Sequence, residues 1–420
     1  MPSGWGLETD FKRRLYRIGR SLQEIRSLIY TDALPVEVWF RSAKKGEKAA
    51  SVDIARFGGK KVKAGFQWGK QWDRAFFLVK TVIPAAFSGR EAVLRLDFGC
   101  EAVAYQQGVP IQGLDANRDD LLLNPMAAPG EKYEVLVEAV SVDAFGKLCG
   151  IELKRAELAV CQQDILALYY DLQVVHSLAE ALGENEAWAR KLIRTGNTAV
   201  DLWRELSFTQ DARSRAREVR RRLAAVYEQR ATTALPEVHL AGHAHIDVAW
   251  LWPLEETVRK CSRTFSTALH YLSRYPGYFF SQSQAMLYAM TRDNFPALFE
   301  GIKEQVAARR WEVVGGMWVE SDCNMVGAEA LVRQFLYGKG FFKREFGVDV
   351  DTCWLPDTFG FPASLPQVLR RCGIRYFTTA KIRWNQYTDF PHTTFRWEGI
   401  DGSRVLAHFL WGGDYNGRVF

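Results

Sequence analysis

Beyond residue 236 the sequence alternates between short apolar runs and longer segments whose apolar residues recur at helical spacing. Candidate strands are 238–240, 278–281, 311–314, 352–355, 375–378 and 405–409, and the helical segments between them are 253–274, 284–306, 328–346 and 364–372. Such alternation is typical of parallel βα units, which form a (β/α) barrel or an open sheet. Functional residues in these folds gather where strands end, so the loops after each run are the place to look for a site.

The loop after the first candidate strand carries His243, His245 and Asp247. Side chains alternate along an extended segment, so these three are expected to point the same way. Two imidazoles and a carboxylate that converge at the end of a strand are what a zinc ion needs. Short polar runs also occur in ordinary loops, and a hydrogen-bonded loop is the alternative interpretation. Pro253 is expected to open the helix that follows.

Later strands are followed by further polar residues. Glu320 and Asp322 come after the third candidate strand, Asp357 after the fourth and Lys381 after the fifth. In a barrel, equivalent positions on different strands would bring these groups together. Taken alone, Asp357 could be a helix cap or a turn residue, and Glu320 and Asp322 could belong to a hydrogen-bonded loop.

Aromatic residues lie beside the same loops. Trp250, Trp252, Trp318, Phe359 and Trp384 would suit stacking on the apolar face of a sugar ring. Each of them taken alone is more often a core residue. The aromatic residues therefore support a carbohydrate site only in combination with the polar loops.

The chain before residue 236 has a different texture. Residues 10–30 show one amphipathic helical period, and residues 36–158 consist of short strand-like runs separated by Gly, Pro and Asp turns, which predicts an antiparallel β-sandwich. Residues 162–230 read as three helices. We therefore expect a multidomain protein: an N-terminal helix and sandwich at 1–158, a helical linker domain at 159–235, and an incomplete (β/α) barrel-like catalytic domain at 236–420.

Composition excludes several classes of protein. Hydrophobic residues make up 48% of the 420 residues and charged residues 25%, as in globular proteins. The net charge of +6 is modest, and the one dense basic run, 213–222, reads as the wet face of a helix rather than a nucleic-acid site. Seven cysteines without paired spacing indicate a reducing compartment. The absence of a signal-peptide core and of a long apolar segment predicts a cytoplasmic protein with no membrane partner; a homo-oligomer stays open.

The combination of motifs after residue 236 is specific. The chain closely resembles glycoside hydrolase family 38, the class II α-mannosidases, in G-H-A-H-I-D-V-A-W-L-W-P at 242–253, G-G-M-W-V-E-S-D-C-N at 315–324, W-L-P-D-T-F-G-F-P at 354–362 and F-R-W-E-G-I-D-G-S-R-V-L at 395–406. The sandwich resembles the ancillary domain of the cytosolic and bacterial branch, with E-A-V-A-Y-Q-Q-G-V-P-I-Q-G-L-D-A-N-R at 101–118 as its marker.

This resemblance implies a function. It implies a retaining α-mannosidase that removes terminal α-linked mannose from oligosaccharides through a covalent glycosyl-enzyme, with one zinc ion that binds sugar hydroxyls. His245 and Asp247 would be zinc ligands, and Asp357 would be both a third ligand and the catalytic nucleophile. The remaining implied roles are substrate binding by Trp250, Phe359, Asp322 and Lys381, and support of the ligands by His243.

Two parts of such a site have no match in the sequence. In the family that the chain resembles, the general acid/base and a further histidine ligand lie downstream of the matched region, so the resemblance implies that both lie beyond residue 420. Asp401 and Asp414 are not assigned, because their contexts do not match the acid/base motif. The chain is therefore expected to be a truncated α-mannosidase. Two other hypotheses stay open: an inactive remnant that binds metal or sugar, and a metal-dependent carbohydrate deacetylase in which Asp357 is a base.

Overall fold

The computed structural model describes residues 9–149, 151–227, 239–388 and 390–410. Its helices are α1 (Asp10–Ser27), α2 (Gln163–Leu182), α3 (Ala187–Glu205), α4 (Ala212–Tyr227), α5 (Leu254–Arg274), α6 (Ala285–Asn294), α7 (Pro296–Ala307), α8 (Ala328–Phe346) and α9 (Leu365–Arg371). None of these helices is both long enough and apolar enough to cross a lipid bilayer.

The predicted N-terminal sandwich is confirmed. Its strands are β1 (Tyr30–Pro35), β2 (Glu37–Ser42), β3 (Lys60–Val62), β4 (Phe66–Gln67), β5 (Arg74–Val82), β6 (Ala92–Asp97), β7 (Glu101–Gln106), β8 (Val109–Leu114), β9 (Asp120–Asn124), β10 (Lys132–Val140), β11 (Glu152–Leu153) and β12 (Arg155–Cys161). They form antiparallel sheets in the orders β3-β2-β5-β10-β7-β8 and β1-β12-β6-β9, with the pair β11-β4 beside them. Inward-facing residues such as Phe77, Leu94 and Val137 fill the space between the two larger sheets.

Helices α1 to α4 pack together on one side of the sandwich. Their apolar stripes share a core with residues of the smaller sheet, among them Val93 and Ala159. The basic run lies on α4, as predicted. Arg217 is paired with Asp164 and Arg220 with Asp171, and both aspartates lie on α2. These arginines stabilise helix packing through their carboxylate partners, although exposed pairs of this kind contribute only about 0–1 kcal/mol each.

The second half of the chain forms two smaller sheets. Strands β13 (Gly242–His243), β14 (Phe280–Gln282) and β15 (Trp311–Val313) are parallel in the order β13-β14-β15. Strands β16 (Thr352–Leu355), β17 (Tyr376–Thr379), β18 (Thr394–Glu398) and β19 (Arg404–Phe409) follow in the order β16-β17-β19-β18. Among the described residues these strands form two separate sheets with helices packed beside them, and they do not close into a barrel. The barrel part of the prediction is therefore not confirmed.

Several predicted elements differ in detail from the structure. The first strand lies at Gly242–His243 rather than 238–240, and Leu240 is exposed; Val238 and the predicted boundary at 236 lie outside the described residues. The predicted helix at 284–306 is divided into two helices, because α6 ends at Asn294 and Pro296 starts α7. Strand β18 was not predicted, and it pairs antiparallel with β19.

Helix α5 connects the two halves. Its first turn carries Glu255 and Glu256, and Pro253, which was expected to open the helix, occupies the N-cap position just before it. One face of α5 packs against strand β8, where a Cβ atom on Gly113 would lie only 3.0 Å from the backbone oxygen of Arg263. This close approach brings the sandwich against the layer that carries the polar loops.

Candidate metal centre and cleft

Three side chains from two separate loops converge where strands end. His245 and Asp247 follow β13, Asp357 follows β16, and one ligand atom from each lies within 4.8 Å of the other two. The Nε2 atom of His245 is 3.5 Å from Oδ1 of Asp247 and 3.8 Å from Oδ2 of Asp357. Residues that are 110 positions apart in the sequence are therefore brought together, as the sequence analysis predicted.

The spacing of this cluster fits a zinc ion. Two ligand atoms bound tetrahedrally to one zinc at about 2.0–2.2 Å lie about 3.4 Å apart, which is close to the separations measured here. One imidazole and two carboxylates are also a donor set that zinc accepts. The residues present therefore fit the metal that the sequence implied.

Glu320 was noted in the sequence but was not assigned to the site. Its Oε2 atom lies 3.1 Å from Nδ1 of His245, and its Oε1 atom accepts a hydrogen bond of 2.7 Å from Ser283. When Nδ1–H of a histidine donates to a carboxylate, the ring orientation is fixed and Nε2 keeps its lone pair for a metal. The sequence alone could not distinguish Glu320 from the neighbouring acidic residue of the same loop, so only its contact with His245 reveals this role.

Gln284 holds the Glu320 loop against the His245 loop. Its Nε2 atom donates to the backbone oxygen of Ile246 at 2.8 Å, and its Oε1 atom accepts from the backbone amide of Glu320 at 3.1 Å. The residue is buried and has a φ of 65°, in the left-handed region that a non-glycine residue seldom adopts. The two hydrogen bonds offset part of the strain of that conformation.

The charges around His245 favour a cation at this position. Burial alone would lower the pKa of His245, but the acceptor carboxylates of Asp247 and Glu320 outweigh it and raise that pKa to about 10. A metal ion must replace the proton of a ligating histidine, and it then satisfies the same carboxylates. By contrast, burial lowers the pKa of His243 to about 4, which keeps that ring neutral.

Asp357 also has a cationic partner. The Nζ atom of Lys381 lies 2.5 Å from Oδ1 of Asp357, while Oδ2 is the atom that faces His245. The same ammonium lies 4.2 Å from the ring centre of Phe359 and 5.1 Å from that of Trp384. Asp357 therefore lies between a cationic side chain on its Oδ1 side and the imidazole of His245 on its Oδ2 side.

His243 and Asp322 lie near the cluster without belonging to it. The Nδ1 atom of His243 is 3.0 Å from the backbone oxygen of Ser281, and its ring packs against Trp354. The Oδ1 atom of Asp322 accepts hydrogen bonds from the backbone amides of Asn324 and Met325, at 2.8 and 2.6 Å. Asp322 thus shapes its own loop, and both residues line the cleft described next.

The cluster opens into a cleft of about 1180 Å³. On one side the cleft is lined by His245, Asp247, Trp250, Asp322, Asp357, Phe359 and Lys381, which include every predicted ligand and substrate residue. Trp250 and Phe359 are well exposed in it, at 57% and 76% of their surfaces. Asp401 is absent from this lining and caps its own turn through Ser403, and Asp414 lies outside the described residues.

The other side of the cleft comes from the sandwich, which the sequence analysis did not connect with the site. Asp115, Arg118, Ala144 and Phe145 line it, together with Glu101. Asp115 and Arg118 belong to the 101–118 segment that the sequence singled out only as a marker of relationship. No local pattern could have placed Phe145 here, because its position depends on how the sandwich packs against α5.

Comparison with known families assigns both halves of the chain. Residues 236–418 match the model of the glycosyl hydrolases family 38 N-terminal domain. Residues 33–159 match the model of the alpha-mannosidase jelly roll domain. The two matches cover the layer with the candidate metal centre and the sandwich that faces it.

Curated relatives agree with these matches. The chain is 34% identical to Alpha-mannosidase G of Dictyostelium discoideum, over 94% of this chain and 37% of that protein. It is 36% identical to Alpha-mannosidase 2C1 of Homo sapiens, over 93% of this chain and 38% of that protein. It is 32% identical to an Alpha-mannosidase of Saccharomyces cerevisiae, over 83% of this chain and 34% of that protein. The chain thus spans little more than a third of the length of these relatives.

Proposed function

Because the chain belongs to glycosyl hydrolase family 38 through residues 236–418, we propose that it acts as a retaining α-mannosidase on terminal α-linked mannose of oligosaccharides. The observation that supports this most directly is the convergence of His245, Asp247 and Asp357 at the floor of a cleft that also exposes aromatic rings.

Zinc would be held by Nε2 of His245 and by the carboxylates of Asp247 and Asp357, with Glu320 fixing the imidazole from behind. A bound zinc ion would supply positive charge that keeps the carboxylates ionised and binds sugar hydroxyls. His243, which is neutral and hydrogen-bonded to Ser281, would support the strand that leads into the ligand loop.

Asp357 would be the nucleophile. Its carboxylate oxygen would form a bond to the anomeric carbon as the glycosidic bond breaks, and the departing oxygen would take a proton from a general acid. Water would then attack the same carbon, release Asp357 and lose a proton to the same group, which gives net retention. Lys381 would hold the carboxylate of Asp357 in position before the attack through the ion pair at 2.5 Å.

The exposed side chains around Asp357 would position the sugar. Trp250 and Phe359 offer apolar ring faces to the C–H face of a pyranose, and Asp322 and Lys381 offer polar atoms to its hydroxyls. All four residues line the same cleft as the metal cluster. The seven cysteines carry free thiols, which is consistent with action in the reducing cytoplasm.

The proposal is tested by release of the aryl group from an aryl α-mannoside by the purified chain loaded with zinc. We expect release of the aryl group, which needs no general acid when the phenolate is a good leaving group; a chelator should abolish this release, and Asp357→Asn should lower it by about 10³-fold or more, the scale seen when a nucleophile is removed. Incubation with 2-deoxy-2-fluoro-α-mannosyl fluoride should add one sugar mass to Asp357, because a deacetylase that used this residue as a base would form no such adduct.

Asp349→Asn is the matched control, since Asp349 is an exposed aspartate just before β16 whose partner is Lys339. That variant should keep the turnover of the parent chain. Zinc binding through His245 and Asp247 without any turnover or adduct would contradict the mannosidase proposal and favour a chain that only binds metal or sugar.

A further inference from the structure

The sandwich forms one wall of the cleft through a short turn, which packs on the loop between β13 and α5 that carries Trp250. This turn spans residues 143–147, and its Gly146 lies so near the loop that a Cβ there would be 2.6 Å from the backbone oxygen of Leu251. Gly146 has a φ of 76°, which suits glycine at this position. The turn is therefore fixed at the edge of the cleft.

The turn is held in place without the side chain of Phe145. Oδ1 of Asp143 accepts hydrogen bonds of 2.9 Å from the backbone amides of Phe145 and Lys147. Nζ of Lys260 on α5 donates to the backbone oxygen of Ala144 at 2.9 Å, and Gln71 donates to that of Gly146 at 3.1 Å. Since these contacts fix the backbone, the ring of Phe145 is not needed as an anchor.

The ring of Phe145 is instead presented to the cleft. It is 56% exposed, and its only ring contact among the described residues is with Trp250, at 6.1 Å between centres and nearly perpendicular. The two rings form an open corner of two apolar faces, one from each domain. Such a corner has the shape and chemistry to hold a sugar ring that continues from one bound over Asp357.

A polar pair lines the same wall. Asp115 and Arg118 form an ion pair, and Oδ1 of Asp115 accepts hydrogen bonds from the backbone amides of Asn117 and Arg118 at 2.7 and 3.1 Å. These contacts fix the turn at residues 115–118, while 43% of the Arg118 side chain stays exposed. A guanidinium held beside a carboxylate gives fixed donors and acceptors for vicinal hydroxyls.

We propose that the sandwich supplies a second sugar position, in which Phe145 stacks on the residue that follows the terminal mannose and the Asp115–Arg118 pair binds its hydroxyls. This inference rests on the proposed function for the first sugar position. It makes the preferred ligand an α-linked oligosaccharide of at least two residues, and it gives the N-terminal domain a direct part in recognition.

The test compares two ligands on the zinc-loaded chain by isothermal titration calorimetry. Methyl α-mannoside fills one sugar position, and a methyl α-mannobioside whose linking oxygen is replaced by sulfur fills two and resists hydrolysis. The parent chain should bind the disaccharide about tenfold more tightly, the scale of one stacked ring or one charged hydrogen bond. Phe145→Ala and Arg118→Gln should each remove most of that gain and leave the affinity for methyl α-mannoside unchanged.

The chain offers close controls for both variants. Phe208 is 89% exposed and lies outside the cleft lining, so Phe208→Ala removes an exposed ring elsewhere. Arg56 follows Asp53 at the same three-residue spacing, and Oδ1 of Asp53 accepts the amides of Ala55 and Arg56 as Asp115 does for its turn. Arg56→Gln and Phe208→Ala should keep the full preference for the disaccharide.

Equal affinity of the parent chain for both ligands would overturn the inference. So would an undiminished preference for the disaccharide in both Phe145→Ala and Arg118→Gln. An equal loss of both ligands would also overturn it, because that is the signature of a structural role. The measurement is independent of turnover: a chain that hydrolyses nothing but shows the preference would contradict the proposed function alone, and a hydrolase without the preference would contradict the second position alone.

Discussion

At the scale of single residues, the proposed metal centre depends on how His245 is oriented. Two carboxylates lie on its Nε2 side and one on its Nδ1 side, where Glu320 is 3.1 Å away. The Nδ1 contact decides which nitrogen is free for a metal, since a neutral imidazole carries only one proton. We therefore expect Glu320 to contribute to the affinity of the site for a metal ion without being a ligand.

Replacing Glu320 with Gln should weaken zinc binding by about 10–100-fold, the usual effect of losing a carboxylate partner behind a ligating histidine. Competition with a chromophoric chelator measures this affinity directly. Glu312→Gln is the control, because Glu312 is exposed on β15 eight residues earlier and should leave the affinity unchanged. Identical affinities of the parent chain and Glu320→Gln would show that the 3.1 Å contact does not tune the ligand.

The sequence predicted the three candidate ligands but not their supports. His245, Asp247 and Asp357 could be found because their residue types and positions after strands suggest chemistry even before the fold is known. Glu320 and Gln284 could not, since their function lies in contacts between loops about 36 to 75 residues apart, which no local pattern records. Phe145 is a similar case across two domains.

At the scale of elements, the contact between β8 and α5 sets the position of the sandwich wall. The amide of Gly113 donates to Oγ1 of Thr267 at 3.0 Å, and a Cβ at Gly113 would meet backbone and side-chain atoms of Arg263 at 3.0–3.2 Å. Backbone atoms inside a packed interface move little, so an added methyl group has no room there.

Gly113→Ala should therefore destabilise the chain by about 1–3 kcal/mol, as overpacked sites generally do. Urea unfolding followed by tryptophan fluorescence measures the change. Gly340→Ala is a control with the opposite expected sign: a Cβ there has nothing within 4 Å, and alanine in the middle of α8 should stabilise by about 0.5–1 kcal/mol. A neutral Gly113→Ala would mean that the two elements can separate at no cost.

Element types were easier to predict from the sequence than element bounds. The helical period correctly gave α1 and α8, because long amphipathic segments carry many consistent positions. Short strands such as Gly242–His243 carry too few residues for a period, and the predicted segment lies three to four residues too early. The antiparallel strand β18 was missed because Thr394–Glu398 alternates exposed and half-buried residues without a strong apolar run.

At the scale of the whole molecule, the two halves are coupled by a buried cluster of charges beneath the cleft wall. Oε2 of Glu101 on β7 accepts from Lys260 at 3.0 Å and from Arg263 at 2.7 Å, and Arg263 also pairs with Glu256 at 2.5 Å. Lys260 in turn holds the turn that presents Phe145, through Ala144. The sandwich, its turn at the cleft and helix α5 are thus joined by one network of charged contacts.

This coupling predicts a specific dependence of stability on pH. Burial alone would raise the pKa of Glu101, but Arg263 and Lys260 outweigh it and hold that pKa below its usual value of 4.5. A carboxylate whose pKa is lower in the folded state stabilises the fold above its unfolded pKa, and this contribution is lost as the pH falls through the folded value. The contribution of Glu101 is therefore complete at neutral pH and disappears progressively below about pH 4.5.

Glu101→Gln should lower the free energy of unfolding by about 3 kcal/mol at pH 6.5, since two buried cations lose a shared partner, and the deficit relative to the parent should shrink at pH 3.5. Urea unfolding at both pH values measures this difference. Glu37→Gln, which removes an exposed partner of Lys61 in the same sandwich, should change stability by less than about 1 kcal/mol at either pH. A Glu101→Gln deficit of equal size at both pH values would mean that the lost stability comes from packing and not from the charge that joins the two halves.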